Sequence, residues 1–121
     1  MILQIETLAA LKEGLEQFKR FLIEEQVGET GVFHGKLVFS ELVGNILKHS
    51  SATARVQSKI EDGFIEISVR ASDGFIPPQT SCCSDVYDEG GRGLFIVDKI
   101  CYKRFCDEDG TVRVLIQTET K

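Results

Sequence analysis

Three polar residues recur at steps of four in the stretch Ser40-Glu41-Leu42-Val43-Gly44-Asn45-Ile46-Leu47-Lys48-His49: they are Glu41, Asn45 and His49. On an α-helix that spacing sets all three on one face, one turn apart. Leu42, Ile46 and Leu47 fall on a different face and read as core. Asn is a poor helix-interior residue, because its side chain competes for backbone hydrogen bonds and favours caps and turns. An Asn in mid-helix, aligned with a carboxylate and an imidazole, therefore suggests a site. Amide and carboxylate oxygens are hard ligands, suited to Mg²⁺ and to the phosphates that accompany it. The wet flank of an amphipathic helix is the other reading of the same spacing.

A second phosphate-compatible stretch lies further on, at Gly90-Gly91-Arg92-Gly93-Leu94-Phe95-Ile96-Val97. Glycines leading into an apolar, helix-like run expose backbone N–H groups at the positive end of a helix dipole. The spacing is neither the Gly-x₄-Gly-Lys-Ser/Thr phosphate loop nor a dinucleotide fingerprint, which would follow a strand. A loop capping a helix explains these glycines as well. Between the two stretches, Asp73-Gly74-Phe75-Ile76-Pro77-Pro78 reads as a tight, Pro-stiffened turn, and residues 79–89 are polar and patternless, a loop. His34, isolated near the start of the second helix, reads as exposed or capping.

The elements that must position these residues follow from periodicity. Residues 2–6 alternate as a short strand does. Thr7 is a plausible N-cap, and Leu8, Leu11, Leu15, Phe18 and Leu22 recur at steps of three and four, which predicts a helix to about Gln26 with Gly28 as its stop. Gly14 within it costs helix propensity without breaking it. Glu29-Thr30-Gly31 reads as a short connection. A second helix then carries Phe33, Leu37, Leu42, Ile46 and Leu47 and ends near Ser50-Ser51. From Thr53 the period is two: Ile65, Ile67 and Val69 face one way and Glu66, Ser68 and Arg70 the other, with Arg55 to Ile60 paired to them across Asp62-Gly63. A second hairpin joins Cys101–Cys106 to Thr111–Gln117 across Asp109-Gly110, with Val112, Val114 and Ile116 on its buried side.

Composition sets limits. A chain of 121 residues is one domain, 1–121, with a single core. A net charge of −5 and no basic run disfavour nucleic acid as a partner. No apolar run reaches membrane-spanning length, and the start lacks the blocks of a signal peptide. The four cysteines, at 82, 83, 101 and 106, form no Cys-x-x-Cys pattern and no zinc set. They read as reduced thiols in a cytoplasmic protein.

Glu41-x₃-Asn45-x₃-His49, then Asp73-Gly74, then Gly91-x-Gly93-Leu94-x-Ile96-Val97, in that order and at those separations, resemble the ATPase domain shared by gyrase, heat-shock chaperone, mismatch-repair and histidine-kinase proteins (the GHKL or Bergerat fold). In length and in its short lid the chain looks most like the anti-sigma-factor serine kinases of bacterial partner-switching systems. The resemblance covers essentially the whole chain. It implies an α+β fold, a two-layer α/β sandwich in which a mixed, mostly antiparallel sheet is covered on one face by about three helices. It implies binding of ATP or ADP with Mg²⁺. Asn45 would ligate the metal, Glu41 would be the base or positioner for the attacking hydroxyl, and His49 would line the site. The amides of Gly91 to Leu94 would cradle the phosphates, with Arg92 adding charge. Asp73 would bond the adenine amino group, and Gly74 would give the base room.

One motif departs from the family. The pattern Asp-x-Gly-x-Gly is replaced by Ala71-Ser72-Asp73-Gly74-Phe75, so Ala71 stands where the strand register would put the adenine carboxylate. Asp73 serves only if the turn is displaced; otherwise Asp73-Gly74 is a plain hairpin turn. The function implied is an ATP-binding regulator that binds a sigma factor or analogous client and phosphorylates a serine on a small antagonist protein. Such proteins commonly pair, so a homodimer is expected, although the stripe from Leu8 to Leu22 is more simply explained by burial within the domain. The alternative is a nucleotide-independent protein-interaction module with a degenerate adenine pocket. A module cut from a larger kinase is disfavoured, because no phosphoacceptor-histidine helix pair precedes the domain.

Overall fold

A computed structural model describes residues 1–49, 53–72, 97–107 and 110–118. In chain order the elements are β1 (Ile2–Ile5), α1 (Leu8–Glu24), α2 (Glu29–His49), β2 (Ala54–Glu61), β3 (Phe64–Ala71), β4 (Lys103–Cys106) and β5 (Val112–Gln117). Residues 97–100 form a further helical stretch. The architecture is the expected two-layer α/β sandwich. Its sheet has the order β1-β2-β3-β5-β4. Every pairing among the described strands is antiparallel, so no parallel pair enters.

Period-two patterning builds this sheet. Val56, Ile65, Ile67, Val69, Val114 and Ile116 point toward the helices and are buried. Arg55, Gln57, Lys59 and Arg70 point the other way and are exposed. The β2–β3 hairpin turns on Asp62 (φ 54°) and Gly63 (φ 80°), two left-handed residues as a two-residue hairpin turn of this twist requires. Its register runs from Ala54↔Ala71 to Glu61↔Phe64 without a slip. Ser58 is polar on the buried side, and its hydroxyl donates to the Glu66 carbonyl at 2.9 Å. Because β3 and β4 both lie antiparallel to β5, they run the same way, and the chain must recross the sheet between them. Residues 97–100 end that crossing. They are fastened to β4 by a two-pronged ion pair, Arg104 Nε to Asp98 Oδ1 at 2.6 Å and Nη2 to Oδ2 at 3.1 Å.

The first helix begins as expected, with Thr7 extended and its Oγ1 accepting from the Ala10 amide at 3.0 Å. Its end differs. The left-handed residue that closes α1 is Gln26 (φ 64°), not Gly28. The Val27 amide bonds the Leu22 carbonyl and the Gln26 amide bonds the Ile23 carbonyl, both at 3.0 Å, which is the Schellman closure. Val27 is sunk in the core with Leu22, and that burial holds the turn closed without glycine. Gly28 instead opens α2, its carbonyl accepting from Val32 at 2.9 Å. Glu29-Thr30-Gly31, read from sequence as a connection, are therefore the first turn of α2.

The packed stripe of α2 also differs from expectation. Phe33 is 64% exposed, whereas Gly35, Val38, Phe39, Leu42, Val43 and Ile46 form the buried arc. Gly35 permits close approach: a Cβ there would lie 3.0 Å from Leu22 Cδ1 and 3.3 Å from Phe18 Cε2. Phe18 then stacks on Phe39, with ring centroids 4.7 Å apart and planes 23° apart. Gly14 plays the same part between α1 and β1, where a Cβ would stand 2.9 Å from Ile5 Cδ1. The α1 stripe is spent inside the domain, with Phe18 and Leu22 fully buried; only Leu8 at its start stays exposed.

Because Gln26 holds a left-handed conformation that glycine adopts freely, Gln26→Gly is expected to stabilise the fold by about 0.5–1 kcal/mol, net of the greater freedom of the unfolded chain. A rise in the urea midpoint at constant slope checks this; a fall would mean that Gln26 makes a contribution beyond its backbone.

Candidate functional site

The second helix sets the geometry of the candidate site. With Gly35, Val38, Phe39, Leu42 and Ile46 turned to the core, a 100° step per residue places Glu41 and Asn45 at the border of the buried arc, one turn apart. Both side chains are half-buried. The alignment read from sequence is thus realised at a boundary rather than on the fully wet flank. Leu42 and Ile46 are buried as expected, and Leu47 packs partly against the core. His49 is the last residue of α2.

Two further residues complete this flank, and the spacing argument did not single them out. Gly44 lies three residues from Glu41 and beside Asn45. It is buried, yet among the described residues a Cβ added there would meet nothing within 4 Å. Lys48 is exposed, one turn beyond Gly44 and three residues after Asn45. The signal for both was present: i+3 and i+4 steps from Glu41 and Asn45 reach them as surely as they reach His49. The flank therefore carries a carboxylate, an amide, a position without a side chain, and an ammonium group.

Topology adds the sheet end that α2 feeds. The chain passes from α2 into β2 and leaves the described sheet at Ser72. There the Ser72 amide bonds the Thr53 carbonyl at 2.9 Å, and the Thr53 amide bonds Ser72 Oγ at 3.1 Å. At that end Ala54 and Ala71 pair across the strands on the helix-facing side, and both are fully buried. Ala71 is the position at which the family pattern would carry its adenine-binding carboxylate. Here it is a methyl group inside the core, so residue 71 itself brings no acid to the site.

Asp73, Gly74, Gly91, Arg92, Gly93 and Leu94 lie outside the described residues, as do Cys82 and Cys83. Among the described residues, no three His, Cys, Asp or Glu side chains gather to hold a metal ion. A divalent cation at this flank would draw on the hard amide oxygen of Asn45 beside its phosphate ligand and water, with the Glu41 carboxylate one turn earlier. That donor set fits Mg²⁺, which keeps several waters and uses one or two protein oxygens beside phosphates. No helix among the described residues is long and apolar enough to cross a membrane.

His34 sits half-buried beside Phe33, ring centroids 5.9 Å apart, and takes no place on a helix cap. Cys101 and Cys106 carry free thiols. Burial, with a smaller push from Asp98 and against the pull of Arg104, raises the Cys101 thiol to about 12. It is therefore no nucleophile at neutral pH.

Comparison with protein-family models gives no match to this chain, and comparison with curated proteins gives none.

Two outcomes follow from this geometry. Gly44→Ala is expected to stabilise the protein by about 1 kcal/mol, the helix propensity difference, since no described atom stands within 4 Å of the added Cβ, read from thermal or urea unfolding. A loss of stability would show that the space beside Asn45 is filled. The folded chain also keeps the Cys101 proton at pH values where an unfolded cysteine has lost it. Stability is therefore expected to fall as pH rises from about 8.5 toward 12. At pH 8, iodoacetamide should label the exposed Cys106 well before Cys101, as peptide mass spectrometry would show; equal labelling would contradict the burial.

Proposed function

We propose that this chain is an ATP-binding regulatory protein of the anti-sigma-factor kind, a Bergerat-fold domain that transfers a phosphoryl group to a serine of a small antagonist protein and binds a sigma factor or analogous client. The observation that supports this reading is the register of Glu41 and Asn45, half-buried together on one flank of α2 beside a position that carries no side chain. Phosphoryl transfer asks a protein mostly for positioning and charge stabilisation, with little covalent work. Mg²⁺, when bound, would supply positive charge to offset that of the nucleotide phosphates. Asn45 would hold it through its amide oxygen. Glu41, one turn earlier, would orient the attacking serine hydroxyl and accept its proton. Lys48 places a positive charge on the same flank. The phosphate cradle of Gly91, Arg92, Gly93 and Leu94, the adenine contact of Asp73 and Gly74, and a lining role for His49 belong to this proposal, as do pairing into a homodimer and a cytoplasmic location.

A second reading is favoured by one observation, the buried methyl of Ala71 at the register position of the adenine acid. In that reading the fold serves as a nucleotide-independent interaction module.

Calorimetry of ATP and ADP binding, with and without Mg²⁺, on nucleotide-stripped protein separates the two. The kinase reading expects metal-dependent binding that Asn45→Ala abolishes while the unfolding transition stays within about 0.5 kcal/mol, as for most surface substitutions. It expects Glu41→Ala to bind normally and lose transfer to the serine substrate. Absence of binding at millimolar nucleotide would leave the interaction module as the function.

A further inference from the structure

The outer face of the sheet, turned away from the helices, is where alternating strands put their polar residues. Near β4 that rule fails. Phe64 on β3, Leu115 on β5 and Phe105 on β4 all fall on this face, through the registers Phe64↔Gln117, Lys103↔Leu115 and Phe105↔Arg113. Tyr102, just before β4, joins them, its ring centroid 5.0 Å from that of Phe64. The four make one band, because Leu115 sits one outward-facing step along the strands from Phe64 at one end and from Phe105 at the other. Tyr102 is 60% exposed and Phe105 37%, so the band is open to water. Contiguous exposed apolar groups on a small domain mark an interaction surface, whereas scattered ones do not.

Charge says what would cover it. Two cations lie against the band: Lys103 Nζ stands 5.7 Å and the Arg113 guanidinium 5.3 Å from the centre of the Phe105 ring. Arg113 has Asp107 at 3.4 Å, and Lys59 on β2 has Glu61 and Glu66 at 3.2 and 4.0 Å. Lys103 is exposed and makes no ion pair with a described carboxylate. The occupant must therefore bring apolar side chains with a carboxylate beside them. A second copy of the band does not bring that carboxylate, since its Glu66 faces Lys59 and its Asp107 faces Arg113. Three outward-facing rungs span about 13 Å along the strands, and three strands span about 10 Å across them. That footprint matches about two and a half turns of an α-helix, whose diameter with side chains is about 10–12 Å.

We propose that Phe64, Tyr102, Phe105 and Leu115, with Lys103 and Arg113 beside them, form the docking surface for an acidic amphipathic helix of a partner protein. The apolar stripe of that helix lies along the band, and a carboxylate on its β4 side pairs with Lys103. The surface is on the opposite face of the sheet from α2, so docking there does not depend on nucleotide binding at Glu41 and Asn45.

Titration of the full ¹⁵N-labelled chain with a synthetic helix tests this. The probe has about 18 residues, enough to hold helix in water, with a leucine and phenylalanine stripe flanked by glutamates. Saturable shifts are expected at the amides of Tyr102, Lys103, Phe105, Arg113 and Leu115. Tyr102→Ser and Lys103→Glu replace exposed side chains, and each should weaken binding at least fivefold in a protein whose spectrum shows it folded. Lys103→Arg should keep the affinity, and Asn45→Ala should leave it unchanged. A control helix with glutamines in place of the glutamates should bind at least fivefold more weakly. Equal affinity for the glutamine helix, unchanged affinity in Lys103→Glu, shifts confined to another surface, or no saturation at millimolar peptide would each overturn the proposal. Two other occupants would overturn it as well: shifts in the band that grow with protein concentration alone mark a second copy, and shifts with anionic vesicles but not with the helix mark a lipid surface.

Discussion

The contact on which the structure depends is the seam between α1 and α2. Phe18 fits against the missing side chain of Gly35 and stacks on Phe39, with Leu22 closing the gap at 3.0 Å from where a Cβ would stand. Close packing of this kind tolerates little rotation, because interiors are as dense as organic crystals and a shift of one methyl group is felt. The seam therefore fixes which arc of α2 faces the sheet. Once Gly35, Val38, Phe39, Leu42 and Ile46 are committed inward, Glu41 and Asn45 have no choice but the border of that arc. A site on a rigid helix, set by core packing one turn away, is held more firmly than one built on a loop.

The sheet supplies the second constraint. With β5 inserted between β3 and β4, those two strands run the same way, and residues 97–100, with Val97 in the core, lead into β4. The Asp98–Arg104 pair fastens them to it. The result is a sheet end where α2, the start of β2 and the exit of β3 converge, with small buried residues, Ala54 and Ala71, between them. Small side chains at that point leave the helix flank to carry the polar groups.

The two faces of one sheet thus have different physics. The inner face is a continuous apolar layer whose sole buried polar side chain among the described residues, Ser58, is satisfied by a backbone carbonyl. The outer face is a surface of charge pairs in which Arg55 and Arg70 stand opposed. An alternating strand cannot change one face without the other staying in register, so both faces are products of the same pairing.

Much of this was legible in the chain itself. Alternation at Ile65, Ile67 and Val69 fixed β3, Asp62-Gly63 announced its hairpin through the left-handed turn it requires, and Thr7 marked the start of α1, because these are local preferences that hold in any context. Steps of four at Glu41 and Asn45 placed them on one flank, since helical period is a backbone property. Other features needed tertiary contacts. Gln26 rather than Gly28 closes α1, because burial of Val27 outweighs the left-handed cost that sequence would assign to glycine. Phe33 lies in the water while Gly35 lies in the core, because Phe18 on another helix claims the space. The opposition of Arg55 to Arg70 exists only in the strand register, and no spacing along one strand encodes what stands across from it. Periodicity determines which residues share a face; only packing decides which way that face is turned and what meets it.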